Sequence, residues 1–360
     1  MSVPSAMTGG RTALPIVPVE VLKQFNVHER NDDRLKAAAR LLQALWLQRH
    51  DIPTGHVRVR GGGKRRLGSR LNSAAALAGR NFLTPDIARY AHQMLAYRER
   101  GAFIDVERGL GNALSSTGLC LNLAGILAGD LDLAACVLRQ LLPDQDIDTV
   151  TAIRIEHSPG RDQPDLTSDR SAHDCCILFT RRRRSRHPTR TGVLCIEVKY
   201  TEGLFESAPY RSGALDDLAE ASGLYMHPRH AALRTNPLQQ LFREHLLAQA
   251  AVIRGDWPSA VFVSLAPAAN ERVQRQADRY RSFLAPTLPG HVPFAHVTLD
   301  AMVAALERAG APEAAAALYE RYLDWGEVDR LVGAAVQARV AKWPLQRSDA
   351  PPFRLISQAA

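Results

Sequence analysis

A series of short apolar segments after Asp148 constrains the fold more than any other feature of the sequence. The first segment alternates β-branched with other residues. The next ones are almost continuously apolar, which is typical of strands covered on both faces. An amphipathic helix lies between the third and fourth segments, with Asn236 expected as its N-cap and Pro237 at its first position. The predicted strands span residues 149–157, 174–180, 192–200, 260–267 and 292–299.

Strands that are apolar on both faces need helices on both sides of their sheet. Apolar stripes predict such helices at 130–142, 270–284, 300–309 and 312–324. We therefore predict an α/β fold whose core runs in the order helix, three strands, helix and strand.

The first 145 residues have a different, mainly helical pattern. An amphipathic helix follows Asn31, and another begins at Thr84-Pro85-Asp86. We predict a helical N-terminal part packed on the core. The expected divisions are a flexible tail at 1–20, the helical part at 21–145, the core with its C-terminal strand and helices at 146–330, and a tail at 345–360.

Length and composition exclude several classes of protein. A chain of 360 residues with 46% hydrophobic composition can bury a large core. No apolar run reaches about 18 residues and no signal-peptide pattern is present, so we expect a cytoplasmic location. The five cysteines lack metal-ligand spacing, and we interpret them as reduced core residues.

Positive charge is concentrated in two segments. Residues 56–70 and 181–190 each contain six basic and no acidic residues. The formal net charge is +8, and removal of these twelve cations leaves −4. Such clusters suit a polyanion such as nucleic acid, although solvated loops have the same composition. The candidate nucleic-acid-binding residues are Arg58, Arg60, Lys64, Arg65, Arg66, Arg70, Arg181, Arg182, Arg183 and Arg184.

Glu197 and Lys199 are charged residues inside an apolar strand, where charge without a partner is costly. Alternation along the strand places both on one face, with Val198 on the other. The chain has 40 Arg and only five Lys, so a lysine here indicates a need for a compact ammonium with a tunable pKa. Codon bias would produce the same ratio.

Asp174 begins the preceding strand and supplies a second carboxylate. If the two strands pair antiparallel with Asp174 facing Glu197, Ile177 pairs with Leu194 and Thr180 with Thr191. Two carboxylates at one end of a sheet suit Mg²⁺, and the backbone carbonyl of Val198 is a further candidate ligand. A cation there would activate water and neutralise a phosphodiester, while Lys199 would orient the water or stabilise the transition state.

Asp174 followed by Glu197-Val198-Lys199 on the next strand resembles the PD-(D/E)XK nuclease superfamily. The resemblance covers residues 130–267 as a core and implies a restriction-endonuclease-like mixed central sheet. The residue before Asp174 is His173 instead of Pro, at a position that varies in the superfamily. The stretches ALSSTGLCLNLAG, IRIEHSPGR, SAHD and IEVKYTE are similar to a bacterial branch of that superfamily, which implies that most of the chain is one elaborated nuclease domain.

The resemblance also implies a function and further site residues. It implies an Mg²⁺-dependent nuclease, with Mn²⁺ able to substitute, that acts on nucleic acid and most plausibly on DNA. Glu156 matches the upstream acidic residue of the metal site, and Gln240 or Arg243 matches the polar residue on the following helix. A homodimer would suit double-strand cutting.

Three alternatives remain open from the sequence. In the first, Glu197 and Lys199 form only an ion pair on an edge strand of an unrelated α/β enzyme, and Asp174 lies far away. In the second, the fold is nuclease-like but the protein only binds nucleic acid or a partner protein. In the third, Glu156, Gln240 and Arg243 are ordinary solvated residues. The segment 181–184 lies roughly 20 Å from Asp174 along the strand, so it can grip a nucleic-acid backbone but not the scissile phosphate.

Overall fold

The computed structural model describes residues 14–58, 61–102, 104–183, 185, 187–205, 210 and 213–341. Two of the predicted nucleic-acid-binding residues, Arg60 and Arg184, lie outside the described residues, as does the predicted tail at 345–360. Most of the predicted N-terminal tail also lies outside them. Its described end is not a free tail, because Val17 is buried in an apolar cluster with the helix that follows.

A five-stranded mixed sheet forms the centre of the fold. Its first three strands pair antiparallel, and the last three pair parallel. Ile177 pairs with Leu194 and Thr180 with Thr191, so the predicted register is confirmed. The strands, in the order in which they lie side by side, are β3 (Ile147–His157), β4 (His173–Arg181), β5 (Thr191–Val198), β6 (Ala260–Ala266) and β7 (Phe294–Thr298).

Helices cover both faces of this sheet. Asn or Asp side chains and Thr84 cap several of them, and the predicted start at Thr84 is confirmed because its hydroxyl accepts from the Ile87 N–H. The helices are α1 (Val19–Gln24), α2 (Arg34–Arg49), α3 (Ser73–Leu77), α4 (Pro85–Ala96), α5 (Val106–Gly111), α6 (Ser116–Gly129), α7 (Leu131–Leu141), α8 (Ala214–Ser222), α9 (Gln239–Arg254), α10 (Glu271–Arg281), α11 (Leu299–Arg308), α12 (Pro312–Tyr322) and α13 (Trp325–Ala341).

Alternating side chains of β5 belong to two different apolar clusters. Leu194, Ile196 and Val198 pack with α4, α6, α7, α11 and α12. Val193 and Cys195 pack with α8, α9 and α10 on the opposite face. By alternation, Glu197 and Lys199 therefore share the face that α9 covers. The predicted α/β fold with a mixed central sheet is confirmed.

The N-terminal part contains a β-hairpin that the sequence pattern did not indicate. Its strands are β1 (Thr54–Arg58) and β2 (Lys64–Leu71), so the first basic segment is largely a hairpin and not a loop between helices. The strands were missed because their outer halves are charged and exposed, which hides the apolar alternation. Only Leu67, Leu71 and the small residues near them are buried.

The predicted start of α9 is wrong by two residues. The helix begins at Gln239, and the Asn236–Pro237 peptide is cis. The N–H groups of Leu238 and Gln239 both donate to the carbonyl of Thr235, so a separate turn precedes the helix. Asn236 is therefore not the N-cap.

All five cysteines are free thiols, and four of them are buried, as predicted. Within the described ranges, no single helix has both the length and the apolar composition that crossing a membrane requires. The pair α6 and α7 meets this test only jointly, and it is bent by 116°.

Candidate active site

A cavity of about 710 Å³ opens beside α9, where β4 begins and β5 ends. Acidic side chains outnumber basic ones in its lining, and Lys199 lies among those at the strand ends. The charged lining residues include Glu156, Asp174, Glu197, Glu202, Glu244 and Lys199. The lining also includes residues of the N-terminal part, so both halves of the chain build this cavity.

Asp174 and Glu197 lie next to each other on neighbouring strands. The pair Cys175–Ile196 is the last in the antiparallel register, and Asp174 and Glu197 come one residue beyond it. The Val198 N–H donates to Asp174 Oδ2 at 2.9 Å, which fixes the carboxylate of Asp174 against β5. Glu197 is only 4% exposed. Because β5 lies between β4 and β6, the edge-strand alternative is wrong, and so is a distant Asp174.

Lys199 forms an ion pair within the cavity. Its Nζ lies 2.6 Å from Glu197 Oε1, and the lysine side chain is 12% exposed. Burial alone would lower the pKa of Lys199, but the nearby carboxylates of Glu197 and Asp174 outweigh this effect and raise it. Lys199 is therefore protonated, and its ammonium group lies beside the acidic residues.

Glu156 lies at the end of β3 with a left-handed backbone (φ 50°). A non-glycine residue in this region is uncommon and is held there by its surroundings. Arg161 Nη2 donates to the Glu156 carbonyl at 2.5 Å. Burial and the neighbouring charge of Glu197 raise the pKa of Glu156 to about 7. The structure thus brings Glu156 to the same cavity as Asp174.

Helix α9 supplies two polar side chains to the cavity. Gln240 Nε2 donates to Glu197 Oε1 at 2.6 Å and to Glu244 Oε1 at 2.9 Å. Burial and the charge of Glu197 raise the pKa of Glu244 well above its ordinary value. The sequence analysis placed Gln240 near the acidic residues but missed Glu244. The available signal was its i, i+4 spacing from Gln240 on the same helix.

Arg243 does not lie in this cavity, so its predicted place beside a metal is wrong. It donates to Asp169 Oδ2 from Nε and Nη2, at 3.1 and 2.7 Å, and to Ser171 Oγ at 3.0 Å. Arg243 and Asp169 are both buried, and burial of a charged group favours such a hydrogen-bonded pair. Arg243 instead anchors the loop before β4 to α9.

Basic side chains lie at the mouth of the cavity, where the sequence analysis identified none. Arg108 forms an ion pair with Glu202 at 2.9 Å, and Arg272 forms one with Asp33 at 2.5 Å. Glu202 Oε2 also accepts a hydrogen bond from the backbone N–H of Thr201. These residues come from α5, α10 and the start of α2, so only the folded chain assembles them.

The acidic residues fit an Mg²⁺-type cation by their chemistry. Oxygen atoms are the ligands such ions prefer, and Mg²⁺ typically takes one or two carboxylates, several waters and a substrate phosphate. Within the described part of the chain, no group of three or more His, Cys, Asp or Glu side chains is placed so that it could hold a metal ion. One carboxylate oxygen, Glu244 Oε2, is buried without a hydrogen-bond partner. The donors present therefore suit a cation shared with water and substrate.

The first basic segment lies close to the cavity. Arg58, Lys64 and Arg66 are exposed. The partly buried Arg65 and Arg70 form ion pairs with Glu29 and with Glu107 of α5. Glu29 and Glu107 lie within two residues of Asn31 and Asp105, which line the cavity, so the hairpin lies near its wall.

The second basic segment lies at the other end of the sheet, and its first arginine is not available to a ligand. Arg181 is 1% exposed. It donates to the carbonyls of Gln145 and Thr191 and to Ser259 Oγ, at 2.9 to 3.1 Å. The prediction that Arg181 binds nucleic acid is therefore wrong, because its side chain is buried and its N–H groups donate to other residues at the end of the sheet. Arg182 and Arg183 are exposed.

The fold and the cavity together define a restriction-endonuclease-like α/β protein. A family model described as PD-(D/E)XK nuclease superfamily matches residues 30–324. The chain belongs to the PD-(D/E)XK nuclease superfamily, so the predicted resemblance to this superfamily is confirmed. Proteins of this superfamily are in general nucleases that use divalent metals. No curated protein and no solved structure matches the chain.

Proposed function

We propose that this protein is an Mg²⁺-dependent nuclease that hydrolyses phosphodiester bonds in DNA. The observation that carries the proposal is the meeting of Asp174, Glu197 and Lys199 in one cavity, at the ends of adjacent central strands. The superfamily supports hydrolysis of nucleic acid, and the oxygen-rich lining supports a divalent cation.

The proposed roles follow from where each group lies. Asp174 and Glu197 would hold the cation, with Glu156 and the backbone carbonyl of Val198 as further ligands. When bound, Mg²⁺ supplies positive charge that neutralises the phosphodiester and polarises water. Lys199, held as an ammonium by Glu197, would orient the attacking water and stabilise negative charge in the transition state. Gln240 would orient Glu197 through its hydrogen bond.

The proposed path of the polymer runs past the first basic hairpin. Arg58, Lys64 and Arg66 are exposed there, on an element that borders the cavity wall. Contacts of this kind bind phosphates without reading bases, so they provide affinity and orientation. Arg182 and Arg183 would contact the backbone only at a distance.

Cleavage assays test the proposal directly. Purified protein is incubated with plasmid, linear and single-stranded DNA in Mg²⁺, Mn²⁺ or EDTA. We expect cleavage only with the divalent ions, and a loss of at least about 100-fold in Asp174→Asn and Lys199→Met. Asp86→Asn, an exposed carboxylate on α4, is the control and should retain activity.

Two outcomes would contradict the proposal. Full Mg²⁺-dependent cleavage by both variants would show that these residues are not catalytic. Salt-sensitive DNA binding in EDTA, without cleavage in any divalent ion, would instead indicate a nuclease-like protein that only binds nucleic acid. Circular dichroism of each variant separates loss of catalysis from loss of folding.

A further inference from the structure

Glu244 is a buried acid for which the fold provides an incomplete set of partners. The residue lies on α9, is 6% exposed and lines the cavity. Its Oε1 accepts one hydrogen bond, from Gln240 Nε2. Its Oε2 is buried and accepts none from any described residue. A buried carboxylate oxygen without a hydrogen-bond partner is destabilising, so a ligand that is absent from the described residues is the expected partner.

The side-chain oxygen of Gln240 is in the same situation. The Gln240 amide nitrogen donates to both Glu197 and Glu244, which determines the orientation of the amide group. Its Oε1 is buried and accepts no hydrogen bond from the described residues. Two hard oxygen atoms on adjacent turns of one helix are therefore left as acceptors beside Glu197.

Glu244 has no ion-pair partner among the described residues, although the nearby charge of Lys199 acts on it. Lys199 forms its ion pair with Glu197, and no described Lys, Arg or His forms an ion pair with Glu244. The same cavity contains the carboxylates of Asp174 and Glu156. Acidic side chains thus outnumber basic ones in a partly enclosed space, and a bound cation is the usual compensation for buried carboxylates.

We propose that Glu244 is a direct ligand of a divalent cation, which it shares with Glu197, and that the side-chain oxygen of Gln240 supports it. The assignment adds a helix-borne ligand to the strand-borne set of Asp174, Glu197 and Val198. It rests on the proposed function for the identity of the cation, but the ligand role itself is independent of cleavage.

Cation binding without DNA tests the assignment. Binding of Mn²⁺ to the full chain is measured by titration calorimetry and by the electron paramagnetic resonance signal of free Mn²⁺. Glu244→Gln, which preserves shape, should weaken Mn²⁺ binding about tenfold or more. Glu202→Gln is the matched control, because it removes one charge from the same cavity but from a carboxylate whose oxygens are both partnered. It should weaken binding less than about threefold.

The outcomes separate this assignment from the proposed function. Equal affinity in Glu244→Gln and the wild-type protein, or equal weakening in both variants, would overturn the ligand role. Absence of Mn²⁺ binding in the wild-type protein would overturn it as well. Selective weakening in Glu244→Gln would support it even if no DNA substrate is cleaved.

Thermal unfolding provides a second readout if Glu244→Gln alters stability. A cation that binds only the folded state raises the melting temperature, and the increase grows with its concentration. We expect Ca²⁺ to stabilise the wild-type protein and Glu202→Gln, and to have little effect on Glu244→Gln. The metal-free Glu244→Gln variant should be at least as stable as the wild-type protein, because a neutral amide of the same shape replaces a buried acid that has an unpartnered oxygen. A less stable variant that Ca²⁺ still stabilises would overturn the assignment.

Discussion

Glu99 determines how β3 ends, although it lies far from β3 in the sequence. Its carboxylate contacts His157 Nδ1 and accepts from Arg161 Nη1 at 2.7 Å. Arg161 in turn binds the carbonyl of Glu156, the residue with left-handed backbone. Glu99 therefore acts as a positioning residue, since it holds the arginine that holds Glu156 at the cavity.

The contribution of Glu99 to stability depends on pH. Burial would raise its pKa, but hydrogen bonds from His157 and Arg161 outweigh burial and lower it to about 2. The folded protein thus binds fewer protons at Glu99 than the unfolded chain between pH 2 and 4.5. The contribution is present above pH 4.5 and is lost as the pH falls toward 2.

We expect Glu99→Gln to lower the free energy of unfolding by about 1 kcal/mol at pH 7, since solvent screens a carboxylate that is one third exposed. The difference in the free energy of unfolding between the variant and the wild-type protein should become smaller as the pH falls from 5 to 3. Urea denaturation at several pH values measures both effects. Asp86→Asn should change stability little, and a pH-independent deficit in Glu99→Gln would contradict the ionic explanation.

The two basic segments lie at different distances from the cavity, and the first of them forms the hairpin of β1 and β2. Arg40 of α2 donates to Ser69 in β2 at 3.3 Å and also contacts Asp32, next to the cavity-lining residues of that segment. The hairpin is therefore attached to the cavity wall. Arg182 and Arg183, by contrast, lie at the far end of β4, roughly 20 Å or more along the strand from Asp174.

This difference predicts unequal effects on nucleic-acid binding. The double variant Lys64→Ala with Arg66→Ala should weaken DNA binding at all sequences and reduce the salt slope by about 2, one unit for each lost phosphate contact. Arg182→Ala with Arg183→Ala is the matched control and should change the slope less. Fluorescence anisotropy in EDTA at several salt concentrations measures the slope. A larger effect of the control pair would assign binding to the other end of the sheet.

A buried polar network joins the N-terminal part, the core and the C-terminal helices. Arg321 of α12 is fully buried and donates to the Asn81 carbonyl and side-chain oxygen at 2.5 and 2.6 Å, and it stacks on Trp46 at 4.1 Å. Gln43 of α2 binds the Arg321 carbonyl and the Tyr200 hydroxyl. Because Tyr200 follows Lys199, the network connects the docking of α2 and α12 to the end of β5.

Removal of Arg321 should therefore destabilise the whole molecule. Arg321→Leu leaves the side-chain oxygen of Asn81 buried without a donor, and the Asn81 carbonyl keeps only the longer hydrogen bond from Asn122 at 3.4 Å. We expect a loss of about 3 kcal/mol in the free energy of unfolding. Arg275→Ala, an exposed arginine on α10, should change stability by less than about 0.5 kcal/mol. Urea denaturation measures both variants. A cost below about 1 kcal/mol for Arg321→Leu would show that the network does not couple these parts.

The residues near Asp174 show how much of the fold and of the candidate site could be predicted from the sequence. Apolar runs predicted the strands, and the spacing between Asp174 and Glu197 predicted a register that the structure confirms. The hairpin at β1 and β2 was missed because charged residues masked its period. Glu244 was missed because its only local signal was the i, i+4 spacing from Gln240, which is common on amphipathic helices.

Periodicity and side-chain alternation are properties of one segment, so the sequence by itself determined the strands of the central sheet, the register of β4 against β5, and the shared face of Glu197 and Lys199. Whether each other charged residue supports the fold or lines the cavity depends on groups that are far away along the chain. Only the tertiary structure decided that Arg181 and Arg243 support the fold, while Glu244 reaches the cavity. The physical reason is that a buried charge is stable only where distant segments bring it a partner, and local sequence does not encode that partner.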